Sequence, residues 1–468
     1  MSSARIIVWT DDDCRRIHEA TLTLLEQTGV EAKYQPALDA FAAAGARVDG
    51  TRVRIDRGLV EKAIESAPRT WEVRSRGRDE VIELKDGNSY FGTGSDCIYV
   101  RDPETGQRRR ILNADIEGLA ALSEVLPNID FVMSMGLPGD VPQEVDDVSA
   151  VAAMLRGTRK PLMVAPRNGF VMRHIKEMCA AAGEAESVMI YAMPAPPLQH
   201  DRDGLSKVMA CAELKVPIAY ASAPNCGTTG PRTMAGSAVI GGAEQLSGLV
   251  LSQHVNPGAP YMYGTGVGAM DMRTMTEAYC VPESMLAQSA QCDLARWYGL
   301  PSFNYAGFSD SKALDGQWAS ECAWSALAGG LSRATILHDV GFLDAGMQSS
   351  YESILFGDEM VGFTRAYMKD VATDDYAIDL DEIMAVGPGG NYLASKYTRK
   401  HTRDFWIGSL IDRTMHDRWE SEGAKTLNDR LSERVAELRA AERAFALTDA
   451  QAAEVEAIKE RAGAERAE

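Results

Sequence analysis

The chain has 468 residues, 45% of them hydrophobic and 25% charged, so it can bury a sizeable core and has the composition of an ordinary soluble protein. Its formal net charge of −19, with no basic run, disfavours a nucleic-acid surface because phosphate would be repelled. The same charge suits a cationic ligand, although solvated surface charge explains it more simply.

The sequence has no apolar run long enough to span a membrane, and residues 1–10 lack a basic-then-apolar leader. The eight cysteines are scattered without a CxxC pair, which predicts reduced, mostly buried thiols in a cytoplasmic enzyme. The seven histidines form no HxxxH or HxH pair, so no local motif indicates a metal site and none is assigned.

The N-terminal part mixes helical and strand patterns. Amphipathic stretches with start and stop signals predict helices at 11–28, about 35–45 and 58–66. From Trp71 to Val100 the hydrophobic period becomes two, in the runs WEVRSR, VIEL, SYFGTG and CIYVRD, which predicts a small antiparallel sheet. We therefore expect residues 1–110 to form an α+β extension before the main domain.

From Ala114 onward, apolar runs alternate with helical stretches, the pattern of a parallel α/β sheet. The predicted strands lie at 130–136, 161–165, 188–193, 217–222, 260–264, 302–305 and 334–338. The predicted helices lie near 145–156, 170–182, 203–214, 234–252, 282–297 and 314–330. A TIM (β/α)8 barrel over 111–420 fits best, with its eighth strand near 356–395 or before residue 130. A doubly wound sheet fits less well, because no glycine-rich phosphate turn follows a first strand.

The stretch 301–347 predicts a strand, a polar turn, a helix, a second strand and a second polar turn. Its polar and aromatic residues come just after the strands, at the edge where parallel α/β folds bind ligands. After about residue 350 the pattern loosens. The glycine-rich run 385–406 predicts a tight surface connection rather than a lid, and 421–468 predicts a C-terminal helical extension.

Aromatic residues follow several predicted strands: Tyr191, Tyr220, Tyr261, Tyr263, Tyr305, Phe308 and Phe342. A barrel mouth lined by aromatic rings and a few carboxylates suits a quaternary ammonium ion, which ring faces hold without hydrogen bonds. Alternation within PYMYG points Tyr261 and Tyr263 to one side. For any single ring, however, core packing is the better explanation.

The polar candidates each have a structural explanation beside a functional one. Asp96 lies in the glycine-rich turn GTGSD, Glu283 in the first turn of a predicted helix, and Asp310 where helix capping would suffice. His338 closes an apolar run, a position that suits a structural histidine and a ligand-binding histidine equally well. The turn GTTGP at 227–231 lacks the lysine of a phosphate loop, so it is a weak signal.

Several long motifs together carry a family resemblance. These are GTGSDCIYVRDPETGQRR, APNCGTTGPRTMAGSAVIGGAEQLSGLVLSQHVNPGAPYMYG, DMR at 271–273, PE at 282–283, GFSDSKALDGQWASE, LHDVGFLDAGM and VGPGGNYL. In this order, from about residue 90 to 420, they resemble the trimethylamine methyltransferase superfamily. The resemblance implies a TIM barrel that transfers a methyl group from a methylated amine to the cob(I)amide of a small corrinoid protein.

The founding enzymes of that family read an in-frame amber codon as pyrrolysine, whereas relatives without it include glycine betaine methyltransferases. Pyrrolysine would fall within NYAGFSDSK, where every residue here is ordinary. The chain thus resembles the non-pyrrolysine branch. A quaternary amine already carries a neutral tertiary amine as leaving group, so it needs no acid, and the protein has only to position it and exclude water.

The resemblance implies a set of substrate-binding roles. Tyr263, Tyr305, Phe308 and Phe342 would cage the ammonium group, Asp96 and Glu283 would supply counter-charges, Asp310 would lie nearby, and His338 would hold a substrate carboxylate. No catalytic residue beyond these positioning groups is assigned. The corrinoid (cob(I)amide or methylcobalamin) is expected on the partner protein, because this chain has no DxHxxG-type cobalamin signature. A homo-oligomer is also expected.

Three alternatives stay open from the sequence. The substrate could be carnitine, γ-butyrobetaine, proline betaine, choline or another methylated amine instead of glycine betaine. The protein could be a non-catalytic betaine-binding barrel, which the lack of any corrinoid partner in the cell would favour. A generic TIM-barrel lyase or aldolase ranks last, because Lys312 is the only lysine near a strand end and it lies in a turn.

Overall fold

The computed structural model describes residues 4–264, 266–443 and 445–467, and its core is an α/β arrangement of parallel strands alternating with helices. The parallel strands are Tyr90–Thr93, Leu162–Val164, Val188–Ala192, Ile218–Tyr220, Tyr261–Met262, Phe303–Tyr305 and Ile336–Val340. Phe131 and Val132 add single-residue bridges between the first two of these strands. Six of the seven predicted strands are therefore found as strands, and the first, at 130–136, is reduced to these two bridges.

The parallel pairings run in chain order. Leu162–Val164, Val188–Ala192, Ile218–Tyr220 and Tyr261–Met262 pair in sequence, and Phe303–Tyr305 pairs with Ile336–Val340. A bridge from Tyr263 to Ser302 joins these two groups. Ile336–Val340 then pairs with Tyr90–Thr93, which is bridged through Gly92 to Phe131. The additional strand thus comes from before residue 130, while residues 356–395 form helices and connecting turns.

A helix follows each parallel segment and packs on the outside of the strands. These helices are Asn113–Val125, Asp146–Gly157, Met172–Ala181, Arg202–Leu214, Met234–Val255, Pro282–Tyr298, Gly316–Ser332 and Tyr351–Tyr367. Their starts follow capping rules: the side chains of Asp201, Thr233 and Asp315 each accept a hydrogen bond from a backbone N–H in the first turn. The predicted helices are found with ends shifted by a few residues at most.

Strand alternation divides the apolar side chains between two cores. Inward-pointing residues form one cluster, made of Phe131, Met133, Met163, Met189, Ala219, Ala221, Met262, Phe303 and Ile336 with Val73, Ile82 and Leu84. The last three belong to the antiparallel hairpin Trp71–Arg74 and Val81–Leu84, which closes one end of the strands. Outward-pointing residues pack against the helices in a larger cluster.

The N-terminal part begins with the helices Asp11–Gln27, Gln35–Ala44 and Arg57–Ser66 and the short strands Val30–Ala32, Arg47–Asp49 and Arg52–Arg54. The three predicted helices are confirmed. The expected antiparallel sheet at 71–100 is correct only in part, because SYFGTG pairs in parallel with Ile336–Val340. Tyr99–Arg101 pairs antiparallel with Arg108–Arg110 and in parallel with Gln348–Ser349. The burial of Phe91, Gly92 and Thr93 between neighbouring strands explains the departure.

The C-terminal part consists of the helices Asp375–Ile378, Leu380–Val386, Lys396–His401, His416–Ser421, Leu427–Ala440 and Asp449–Ala467. The last two lie within residues 421–468, where a helical extension is predicted. Leu431, Val435, Val455 and Ile458 bury their apolar faces against the body of the protein. In the described part of the chain, no helix is both long and apolar enough to cross a membrane.

Candidate functional site

A cavity of about 220 Å³ lies at the carboxyl ends of the parallel strands, among them Val188–Ala192, Ile218–Tyr220, Phe303–Tyr305 and Ile336–Val340. It is lined by Tyr191, Met193, Ala221, Ser222, Ala223, Gly266, Glu277, Tyr279, Phe303, Asn304, Tyr305, His338 and Ala345. Phe303 and Tyr305 share one face of their strand, whereas Asn304, which also lines the cavity, donates a hydrogen bond from its side-chain amide to Ser332 at 3.2 Å.

The walls of the cavity are mostly ring faces. The His338 imidazole stacks on Phe303 at 4.5 Å between ring centroids, and Tyr191 stacks on the same phenylalanine at 5.4 Å. On the other wall, Tyr279 stacks on Tyr305 at 4.8 Å. The edge of Tyr305 faces His338 at 6.1 Å, so the two groups of rings meet. Such a wall can hold a cation by its ring quadrupoles.

A hairpin in the connection after Tyr261–Met262 covers part of the cavity. Its strands, Gly268–Asp271 and Thr276–Ala278, pair antiparallel, and the first also pairs with Asn225–Cys226. The hairpin delivers Glu277 and Tyr279, two residues apart, to the cavity wall. Gly268 is required by this packing, because a Cβ there would lie 2.3 Å from the Asn225 amide oxygen and 2.6 Å from a Glu277 carboxylate oxygen.

Asp339 anchors the polar side of the site. It is buried, has a φ of 77° and lies within an irregularity in the pairing of Ile336–Val340 with Tyr90–Thr93. Its Oδ2 accepts a hydrogen bond from the Tyr279 hydroxyl. Its Oδ1 lies 2.5 Å from His338 Nδ1, yet neither of these two atoms has a partner in hydrogen-bond geometry. A buried pair in this state can reorganise when a polar ligand arrives.

Carboxylates make the site electrically negative. Burial raises the pKa of Glu277, and a hydrogen bond with Asn225 opposes that shift. Burial also raises the pKa of Asp96, opposed by the hydrogen bond from Ser95. Both residues nevertheless keep part of their surface exposed to solvent, so the surrounding protein reduces the solvation of their carboxylates without enclosing them. The pKa of Tyr191 is raised first by burial and then by the negative charges of Asp339, Asp96 and Glu277.

The structure brings part of the predicted set together. Tyr305 and His338 line the cavity. The buried Phe308 lies behind the wall, with its ring 4.4 Å from Tyr279 and 5.2 Å from Tyr305. The buried Phe342 packs against Gly94, where a Cβ would lie 2.2 Å from its ring, so it borders the turn that carries Asp96.

Asp310 is held outside the cavity wall. Its Oδ2 accepts a hydrogen bond of 3.0 Å from the backbone N–H of Cys280, and burial raises its pKa. Lys312 is exposed: its Nζ donates to the Asp310 carbonyl at 2.6 Å and lies 3.5 Å from Asp344. Neither side chain reaches the ring-lined space. This placement leaves the lyase alternative without its lysine.

Two predicted residues, Tyr263 and Glu283, lie away from this cavity. Tyr263 does share a face with Tyr261, but that face points to the helices, because the intervening Met262 points inward. Its hydroxyl donates to Gln291 at 3.5 Å and its ring packs on Tyr298. Glu283 is exposed at the start of Pro282–Tyr298 and lines a separate depression of about 520 Å³.

The sequence interpretation missed Glu277, Tyr279, Phe303 and Asp339, and noted Tyr191 without selecting it. Alternation could have found Phe303, which is two residues before Tyr305. Asp339 directly follows His338 and could have been paired with it. The hairpin itself had no clear strand pattern, so its placement over the cavity needed the structure.

The cysteines and possible metal ligands lie apart from this chemistry. All eight cysteines are buried and unpaired, as expected for reduced thiols. Within the ranges that the structure describes, no group of three or more His, Cys, Asp or Glu side chains could hold a metal ion.

Comparison with known proteins assigns the chain to a family. Residues 2–466 match the family described as Trimethylamine methyltransferase (MTTB). The chain is 33% identical over 432 residues to a glycine betaine methyltransferase of Desulfitobacterium hafniense strain Y51, covering 90% of this chain and 89% of that protein. It is 29% identical over 434 residues to trimethylamine methyltransferase MttB of D. hafniense strain DCB-2, covering 91% and 88%.

A solved structure shares the fold. The crystal structure of the Methanosarcina barkeri monomethylamine methyltransferase MtmB matches with a TM-score of 0.54 at 12% identity, over 99% of this chain and 89% of that one. At this identity the likeness concerns the fold alone. The match over nearly the whole sequence and the 33% identity give the identification: the chain belongs to the trimethylamine methyltransferase family.

Proposed function

We propose that the protein is a corrinoid-dependent methyltransferase that demethylates a quaternary amine, either glycine betaine or a related betaine. The observation that carries this proposal is the cavity of about 220 Å³ at the strand ends, walled by stacked rings and bordered by carboxylates. A quaternary ammonium group offers neither donor nor acceptor, so ring faces and nearby negative charge are what can recognise it. The family membership supports the same reaction class.

The proposed architecture is a (β/α)8 barrel with an N-terminal α+β extension and C-terminal helices. Closure of the barrel is supported by the strand Tyr90–Thr93, which is bridged to Phe131 at the start of the series of parallel segments and pairs with Ile336–Val340 at its end. In this arrangement the barrel domain begins at Tyr90 instead of residue 111, because that strand pairs with the last one. It extends to about 420, and 421–468 forms the C-terminal extension. The cavity then occupies the end where TIM barrels carry their active sites.

The corrinoid is proposed to arrive on a partner protein. The cavity is smaller than the roughly 300–1,000 Å³ of sites that enclose drug-sized ligands, so a macrocycle can approach its mouth but not enter. When presented there, the reduced corrinoid supplies the nucleophile for the methyl group. This chain's contribution is to hold the substrate with one methyl toward the mouth and to exclude water from the cation. A homo-oligomer is proposed as well.

Each cavity residue has a proposed role. Tyr305, Phe303 and Tyr279 contact the methylated nitrogen through their ring faces, and Tyr191 completes the wall. Glu277 supplies a counter-charge, since this residue lines the cavity whereas Glu283 does not. Asp96 adds negative charge from the adjoining turn. Phe308 and Phe342 act indirectly, as supports for these groups.

His338 is proposed to donate a hydrogen bond to a substrate carboxylate. Its ring is fixed between Phe303 and Tyr305, and Asp339 lies against Nδ1. A fixed imidazole N–H opposite a cation-binding wall would separate zwitterions from simple amines by one charge-assisted hydrogen bond. The small cavity favours compact betaines over longer ones such as carnitine.

Calorimetric titration of the purified protein with glycine betaine, proline betaine, carnitine, choline and trimethylamine tests the proposal. We expect a compact betaine to bind and trimethylamine to give no heat. The betaine that binds is then incubated with reduced cobalamin, and methylcobalamin formation is followed by its absorption spectrum. If the betaine binds but no methyl transfer occurs with free cobalamin or a corrinoid protein, the binding-module alternative holds. If no compound binds, the ring-lined cavity is not a quaternary-amine site.

A further inference from the structure

Behind the cavity wall lies a buried glutamate that does not itself line the cavity. Glu244 belongs to the helix Met234–Val255, and none of its surface is exposed to solvent. Burying a carboxyl group is unfavourable unless its oxygens take part in hydrogen bonds. The partners of Glu244 therefore show why this helix carries an acid at this position.

One carboxylate oxygen of Glu244 holds the cavity wall at Ser222. The Ser222 hydroxyl donates to Oε2, and Ser222 lines the cavity just after the strand Ile218–Tyr220. The Ser222 carbonyl in turn accepts a hydrogen bond of 2.7 Å from the backbone N–H of Gly266, which also lines the cavity. Gly266 lies two residues before the hairpin that covers the cavity. The contact from Glu244 thus reaches the wall and, through one further hydrogen bond, the base of the hairpin.

The other carboxylate oxygen holds a second connection. Oε1 of Glu244 accepts a hydrogen bond from the backbone N–H of Leu198. Leu198 lies between the strand Val188–Ala192 and the helix Arg202–Leu214, in a connection that begins with the cavity residue Met193. Its φ of 60° is uncommon for a residue with a side chain and persists where the surroundings hold it. The bond to Glu244 is one such restraint.

A buried polar network makes this junction rigid. His200 Nδ1 lies 2.8 Å from the Tyr220 hydroxyl, and Nε2 lies 2.9 Å from the Ser247 hydroxyl. Ser247 donates to the Glu244 backbone carbonyl at 2.8 Å, so it accepts from Nε2–H, and Tyr220 donates to Nδ1. Burial lowers the pKa of His200 to about 3, which keeps the ring neutral, as this pattern requires. A fully satisfied network of this kind favours one geometry of the elements that it joins.

From these contacts we propose that Glu244 is a positioning residue of the substrate site. Through Ser222 and Leu198 it holds two connections of the cavity wall in the geometry that binds the substrate, without touching the substrate itself. The inference rests on the proposed function only for the identity of the ligand. Without the carboxylate the wall is less well defined before the substrate binds. Binding should therefore weaken, while the reaction of the bound substrate stays nearly unchanged.

Three variants separate the contacts. Glu244→Leu removes both acceptors, and Ser222→Ala removes one of their partners. For both we expect Kd and KM to rise about tenfold with kcat within about twofold of the unmodified protein. Glu244→Gln keeps an oxygen for the Leu198 N–H and an amide that can donate to the Ser222 hydroxyl, so binding should return to within about twofold. Calorimetry with the betaine that binds gives Kd, and methyl transfer to reduced cobalamin gives KM and kcat.

A double variant shows whether Ser222 acts with Glu244 or on its own. If the two residues form one unit, Ser222→Ala combined with Glu244→Leu should bind no more weakly than Glu244→Leu alone. A further loss in the double variant would mean that Ser222 contacts the substrate independently of Glu244, which contradicts the proposed route.

Glu359→Leu is the matched control, because Glu359 is also a buried glutamate that holds a connecting segment. Its carboxylate accepts hydrogen bonds from the Ser409 hydroxyl at 3.1 Å and the Leu410 backbone N–H at 2.8 Å. It lies at the amino end of the strands, because the adjacent Asp358 accepts from the backbone N–H of Asn128, which precedes the first parallel segment. This control should lower the melting temperature and leave the affinity per folded molecule unchanged.

Amide hydrogen exchange tests the positioning without any ligand. Exchange at 193–199 and 266–279 should be faster in Glu244→Leu than in the unmodified protein, and unchanged there in Glu359→Leu. If the unmodified protein binds no methylated amine but exchange responds as expected, the proposed function fails and the role of Glu244 in ordering the wall stands. Where Glu244→Leu does not fold, Ser222→Ala removes the same contact from the other side and carries the same expectations.

Three results would overturn the proposal. One is a folded Glu244→Leu protein with unchanged affinity, or with unchanged exchange at both segments. Another is an equal loss of affinity in Glu359→Leu, which would make the effect one of general stability. The third is a Glu244→Gln protein that binds no better than Glu244→Leu, because the hydrogen bonds are then not what matters.

Discussion

The hydroxyl of Tyr279 donates a hydrogen bond to the carboxylate of Asp339, which ties the hairpin over the cavity to the end of Ile336–Val340. Burial, followed by the charge of Asp339, raises the pKa of Tyr279 well above its usual value, so the phenol keeps its proton and stays a donor. The ring of the same tyrosine stacks on Tyr305. One side chain thus joins the hairpin to the strand ends that form the rest of the site.

Tyr279→Phe keeps the ring and removes only the donor. Asp339 would be left with a buried, unsatisfied carboxylate oxygen, at a cost of about 1–3 kcal/mol or more. We expect substrate affinity to fall about tenfold and the melting temperature to drop, both measured on the same preparation by calorimetry. Tyr34→Phe, at a half-buried tyrosine in the N-terminal extension, is the control. Unchanged affinity in Tyr279→Phe would show that the hairpin contact does not shape the site.

Glu277→Gln tests the counter-charge. Because the pKa of Glu277 is raised by burial, this carboxylate takes up a proton at a higher pH than an ordinary glutamate does. Affinity for a quaternary amine should therefore fall as pH is lowered toward that pKa, and the variant should lose this dependence. At neutral pH we expect roughly tenfold weaker binding, about 1.4 kcal/mol.

Glu283→Gln is the matched control for that change, because Glu283 lies at the separate depression. It should bind like the unmodified protein at every pH. If Glu283→Gln weakens binding and Glu277→Gln does not, the counter-charge is Glu283, as the sequence predicted, and not the cavity residue Glu277.

The aromatic wall is tested by two tyrosines on opposite faces of neighbouring strands. Tyr305→Leu removes a ring from the cavity, and cation–π contacts are worth about 0.5–2 kcal/mol, so affinity for a quaternary amine should fall roughly 2- to 30-fold. Tyr263→Leu alters the packing against the helices, so stability should fall while affinity per folded molecule stays the same. Equal losses of affinity in the two variants would argue against a direct ring contact.

Tyr261 and Tyr263 show where the sequence prediction reaches its limit. Alternation showed that Tyr261 and Tyr263 share a face, but it could not tell which face, because a strand buried on both sides is apolar throughout. Tyr305 and His338 were found because each precedes a polar turn. Glu277 and Tyr279 were missed because their hairpin has weak strand signals, and only tertiary packing brings it over the cavity.

A buried glutamate predicts how stability depends on pH. Glu244 is buried in Met234–Val255, accepts a hydrogen bond from Ser222, and burial raises its pKa to about 7. The unfolded chain has a lower pKa for this group, so the folded state binds the extra proton. The stabilisation that protonated Glu244 gives the folded state is fully present below about pH 4.5 and is lost as pH rises to about 7.

Glu244→Gln should remove this part of the pH dependence. We expect urea unfolding to give the variant a higher free energy of unfolding than the unmodified protein at pH 8, by up to roughly 3 kcal/mol. At pH 5 the two free energies should differ little. The control Glu65→Gln, at an exposed glutamate, should leave the free energy of unfolding unchanged at both pH values. An equal effect at both pH values would mean that Glu244 keeps the same protonation throughout this range.

His338→Ala tests how the site selects its substrate. If His338 holds the carboxylate of a betaine, its removal should weaken betaine binding about 10- to 100-fold, the range of a charge-assisted hydrogen bond. Choline has the same ammonium group without the carboxylate, so its binding should change only through the lost stacking on Phe303. His254→Ala, at an exposed histidine near the end of Met234–Val255, is the control. Unchanged betaine turnover in His338→Ala would remove the carboxylate role, and an equal loss for betaine and choline would leave His338 as part of the ring wall alone.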